Sequence, residues 1–262
     1  MALKQIVVPL DDSDSGLSAF HFVLKNFGDE KNVLNILWLG TRCTHPEKAI
    51  DVKLPNAMAK LGTLNSDFRN KIREILETQY RDIKTNINVI TLDHFTRKQL
   101  TSYCSFSDSL VSSFSVYQKY LYPLFEKFAG GRKYAKVCCP KILISEEFDH
   151  AENIILVKTD QVNTIATVKQ FCHIYSDKCE GVNLNLLDLQ EFNERGGFVN
   201  SQKLLVDYLK QHTPSPAIYP YSGEDPEHLS QILNLNKNTL WVSPLESVEE
   251  LKFMTKKVMS TK

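Results

Sequence analysis

Neither sign of charge is in excess: Lys+Arg and Asp+Glu both number 31 in 262 residues, a formal net charge of +0. A balanced chain has no general field to draw in nucleic acid or an anionic membrane. Long apolar runs are also missing. IVVPL and ILVKT are soon interrupted by polar residues, well short of the roughly 18 apolar residues a bilayer-spanning helix needs. The opening, MALKQIVVPLDD, has neither a long hydrophobic region nor a small-residue cleavage site, so it does not read as a signal peptide. The expectation is a cytoplasmic protein that uses neither membrane nor nucleic acid.

Recognisable catalytic and metal-binding patterns are absent as well. The six cysteines, Cys43, Cys104, Cys138, Cys139, Cys172 and Cys179, show no CxxC spacing, and in a reducing compartment they are expected as buried thiols. The histidines, including the Cys172-His173 pair, form no ligand set, so no metal is expected. No GxSxG, HExxH, Walker or GxGxxG sequence occurs, and no Ser, His and Asp arrangement marks a nucleophile. The chain is therefore expected not to be an enzyme.

What is present is an alternation of strands and helices. Gln5 to Asp11 is an apolar run ending in the turn-rich DDSDSG, the form of a buried strand followed by a helix that Ser13 or Ser15 can cap. Leu17, Phe20, Val23, Leu24 and Phe27 then recur at helical spacing before Gly28. Further strands are expected at Val33 to Leu39, Asn88 to Leu92, Leu110 to Phe114 and Lys141 to Ser145, with helices near 68–80, 96–103 and 117–128, the last kinked at Pro123. Residues 41–64, with Pro46 and Pro55, read as a long connection of unassigned role. Parallel neighbours require crossovers, usually helical, so the order predicts a doubly wound sheet.

The order then restarts. Ile155 to Asp160 repeats the form of Ile6 to Asp11 at an offset of 149 positions, and NLLDL echoes NILWL at nearly the same offset. A helix over 163–175 lies between them. Later strands are expected at Ala217 to Tyr221 and Thr239 to Ser243, with helices around Leu205, Leu229 and Leu251. The fold class expected is α/β, two tandem doubly wound parallel-sheet domains over residues 1–148 and 149–262. The second is one strand short, its edge completed by a partner or covered.

The run IVVPLDDSDSG and the later CCPKILI resemble the beginning and end of universal stress protein domains, and the tandem resembles the two-domain members of that family. The resemblance covers most of 1–147 and, more weakly, 153–260. It implies an adenine nucleotide alpha hydrolase-like fold, and an Asp at the first turn that meets adenosine in nucleotide-binding members. Asp11 matches that position, with Asp160 as its counterpart. The glycine-rich phosphate element expected after the fourth strand has no match: the chain reads SSFSVYQKY there, and SPLESVEEL in the second half, with Glu246, Glu249 and Glu250. Glycine matters because it lets backbone N–H groups approach phosphate closely.

Pro9, Asp11, Asp12, Ser13, Ser112 and Ser113 are the candidate adenine-nucleotide contacts, with Ser115 as a further hydroxyl. Each has a plainer reading as well. Carboxylates flank helix N-termini, serines end strands, and the basic turn Gly130, Gly131, Arg132, Lys133 also suits a helix C-terminus. No cofactor is expected to be required, although ATP or AMP would be the ligand if one binds. The resulting expectation is a stress-response or regulatory protein that binds a protein partner or small ligand, with nucleotide binding weakened or lost. The alternative is an ATP/AMP-binding module with weak hydrolase activity in the first domain. The two halves are expected to form an internal pseudo-dimer, with a homodimer also open.

Overall fold

The computed structural model describes residues 3–39, 66–91, 97–121, 139–158, 161–175, 182–188, 198–213, 216–220 and 238–243. It is a mixed α/β fold, mostly of parallel strands, and divides into two compact units, Met1–Val137 and Cys138–Lys262.

In the first unit the strands are β1 (Lys4–Leu10), β2 (Asn32–Trp38), β3 (Asn86–Thr91) and β4 (Ser109–Ser113). Their order is β3-β2-β1-β4. The β1–β2 pairing is parallel from Lys4↔Asn32 to Leu10↔Trp38, and β2–β3 continues it from Val33↔Asn86 to Trp38↔Thr91. Ile6, Val7, Val8, Leu34 and Leu37 are fully buried. Adjacent positions along these strands are covered on both faces, which explains continuous apolar runs where a half-wet sheet would alternate.

Helix α1 (Asp14–Phe27) starts at Ser13, whose hydroxyl accepts from the Gly16 N–H at 3.1 Å. It buries Phe20, Val23, Leu24 and Phe27 of the stripe expected from the spacing, together with Ala19, while Leu17 is half-buried. The helix ends at Gly28 with φ −76°, outside the left-handed region. Glycine is needed there for room, since a Cβ would run into the Leu24 carbonyl oxygen. Helices α2 (Ser66–Thr78) and α3 (Arg97–Ser105) connect the next strands.

After β4 the structure departs from the continuous helix expected over 117–128. A three-residue helical segment, α4 (Phe114–Val116), runs into a π-helical turn at Tyr117–Leu121. Pro123 lies outside the described residues, as does the connection 41–64.

The second unit contains β5 (Lys141–Ile144), β6 (Asn153–Lys158), β7 (Asn183–Asp188), β8 (Ala217–Pro220) and β9 (Thr239–Ser243), with α5 (Gln161–Tyr175) and α6 (Phe198–Leu209). The order is β5-β9-β6-β7-β8. Three pairings are parallel, β6–β7, β7–β8 and β6–β9. The pairing of β5 with β9 is antiparallel, Lys141↔Ser243 to Leu143↔Trp241. This corrects the all-parallel expectation. The strand expected as fifth in the first half lies beside β9, within the second unit. The helices expected near Leu229 and Leu251 lie outside the described residues.

Candidate functional site

Chain order reverses direction across the first sheet between β1 and β4, and in open α/β sheets ligands bind outside the carboxyl ends of strands at such a switch point. Local backbone chemistry opens that end. Lys4 N–H bonds the Lys31 carbonyl and Leu39 N–H bonds the Leu10 carbonyl, so even-numbered residues of β1 face β2. Gln5 accepts from Asp108 N–H, so odd-numbered residues face β4. Pro9 therefore places its missing N–H toward β4. The β1–β4 register stops before it, at Val7↔Leu110.

Asp11 stands at this opening and is 2% exposed. Its Oδ1 accepts from the Ser13 N–H at 3.1 Å and from the Ser13 hydroxyl. Its Oδ2 lies 3.5 Å from the Lys119 ammonium, which the π-helical turn after β4 supplies. The Asp11 side chain is 3% exposed and that of Lys119 is 63% exposed. The pair thus joins a buried carboxylate to a lysine whose head is largely in water. A hydrogen bond with Tyr120, ahead of Asp11 itself, holds the Lys119 ammonium above its ordinary range. The ammonium also lies 4.8 Å from the Tyr120 ring centroid.

The hydroxyls around the opening are engaged locally. Ser13 gives its single proton to Asp11 and accepts from Gly16 N–H, so the 2.9 Å contact with Ser15 has Ser15 as donor. Ser112 donates to the Ser113 carbonyl at 3.0 Å, and the Ser113 hydroxyl caps α4 by accepting from Val116 N–H at 3.3 Å. Both serines are fully buried, and Asp12 is exposed. Of the six candidates, Asp11 and Ser13 are bonded to one another, Ser112 and Ser113 end β4, Pro9 lies in β1, and Asp12 faces solvent.

No family model matches the chain, and no curated protein matches it. Among solved structures, it is similar to the crystal structure of a universal stress protein from Archaeoglobus fulgidus DSM 4304, with 10% identity and a TM-score of 0.46 over 94% of this chain and 97% of that one.

Two residues central to the arrangement carry no signal in the sequence. Lys119 is one lysine in SSFSVYQKY, a segment whose lack of glycine is its readable feature. Gly16 lies under Asp11: a Cβ there would sit 2.8 Å from the Asp11 carbonyl oxygen and 2.9 Å from Oδ1. The DSDSG turn suggests a helix start without showing that contact.

Several expected positions lie outside the described residues: Asp160, Gly130 to Lys133, Glu246, Glu249, Glu250, Cys43, Cys138 and Cys179. Cys104, Cys139 and Cys172 are buried and take part in no disulfide. Burial pushes the Cys172 thiol up to about 11, which leaves it protonated and a poor nucleophile at neutral pH. Among the described residues, no cluster of three or more His, Cys, Asp or Glu could hold a metal ion, and no helix is long and apolar enough to cross a membrane.

Proposed function

We propose that this chain is a non-catalytic cytoplasmic binding protein of the universal stress protein type, acting in a stress response or in regulation, with nucleotide binding weakened or lost. The observation that carries the reading is the state of Asp11. A carboxylate at the ligand end of the sheet has both oxygens engaged within the chain, Oδ1 by Ser13 and Oδ2 by Lys119. The β4 end supplies buried serines engaged with their own backbone in place of glycine N–H groups. A triphosphate placed there would meet a carboxylate and hydroxyls already in use. A tandem origin belongs to the same reading. Each unit separately repeats one order, β3-β2-β1-β4 in the first and β8-β7-β6-β9 in the second, and β6 begins 149 positions after β1.

The deciding experiment is titration calorimetry of the full chain with ATP and with AMP. The expected result is no saturable binding tighter than about 1 mM. A micromolar dissociation constant that Asp11→Ala weakens would overturn this reading in favour of an ATP/AMP-binding module with weak hydrolase activity. A partner protein or small ligand would then be secondary to the nucleotide.

A further inference from the structure

We propose that Lys119 is a built-in occupant of the first unit's binding crevice, an intramolecular latch that holds the place of a ligand's hydrogen-bond donor. The inference rests on reading the carboxyl ends of β1 and β4 as a binding site. It adds the reason that site is closed.

An ionised carboxylate only accepts hydrogen bonds. With Oδ1 filled by the Ser13 N–H and hydroxyl, Oδ2 is the acceptor left to face an incoming group, and that group must bring a hydrogen-bond donor. Lys119 supplies such a group at 3.5 Å. In dinucleotide-binding sheets of the doubly wound kind a carboxylate receives a ribose hydroxyl, so a ribose-type diol is the ligand to set in competition with Lys119. Two further features make the lysine a latch rather than a fixed strut. Its side chain is 63% exposed while Asp11 is covered, and it reaches the carboxylate on a flexible four-carbon stem. Its position depends on the π-helical turn at Tyr117–Leu121, and such turns are frequent at functional sites. Ser13, by contrast, is held by the helix it caps.

The test is calorimetry with adenosine, an uncharged diol, on the wild type, Lys119→Met and Lys119→Arg, with folding checked by circular dichroism and a cooperative melt. The wild type and Lys119→Arg are expected to show no saturable heat. Lys119→Met should bind at least tenfold more tightly than the wild-type limit and lose that binding when Asp11→Asn is added. If Lys119→Met does not fold, Lys119→Ala, which brings no donor and leaves Oδ2 open to water, takes the same readout. A folded Lys119→Met or Lys119→Ala that binds adenosine no better than the wild type overturns the latch and leaves the proposed function standing. Micromolar ATP binding by the wild type, with still tighter binding after Lys119→Met, overturns the proposed loss of nucleotide binding and supports the latch.

Discussion

A single methyl group separates Gly16 from a collision with Asp11, because the added Cβ would sit 2.8 Å from a backbone oxygen that cannot swing aside. Gly16→Ala is therefore expected to lower stability by about 1–3 kcal/mol, as overpacking does, read as a fall in the urea midpoint. An unchanged midpoint would show that the β1–α1 turn relaxes freely. At this scale the sequence was partly readable. Asp11 and Ser13 stand out because a strand running into DDSDSG has few structural meanings. Gly16 and Lys119 do not, since one acts through a contact with an earlier backbone atom and the other across a separation of more than a hundred residues.

Elements carry the next set of consequences, and α1 shows them best. Its His21 lies 5.8 Å, centroid to centroid, from Tyr80, which follows α2 and donates a 3.3 Å hydrogen bond to the His21 carbonyl. Burial lowers the His21 pKa below its ordinary 6.5 and raises that of Tyr80. The sign follows from linkage: below about pH 6.5 the unfolded chain takes up a proton that native His21 resists, so stability declines as pH falls. Urea midpoints should therefore drop more for the wild type than for His21→Gln between about pH 7 and about pH 5.5. Equal slopes would remove His21 from the account. Strand positions were legible from apolar runs to within a residue or two, as in β4, expected from Leu110 and found from Ser109. The segment after β4 was not. A π-helical turn shifts the face that later residues present, and nothing in YQKYL marks it.

For the molecule as a whole, the informative strand is β5. It lies in the second unit and pairs antiparallel with β9, although by position it follows the first set of strands and helices. Ile142 is fully buried there, in register with Val242. Ile142→Asp would bury an unpaired charge and should lower the unfolding transition of the second unit before that of the first. The two tryptophans report separately, Trp38 from β2 and Trp241 from β9. Fluorescence of Trp38→Phe and Trp241→Phe backgrounds would show it, and simultaneous shifts at both reporters would contradict it.

Among the described residues, the order of the strands, the start of α1 at Ser13 and the buried runs were determined by the sequence alone, because periodicity and turn chemistry act over a few neighbouring residues. Which strand lies beside β9, and what fills the crevice at Asp11, were decided only by tertiary structure. Both depend on groups far apart in the chain, Lys141 with Ser243 and Asp11 with Lys119, whose meeting no local pattern encodes.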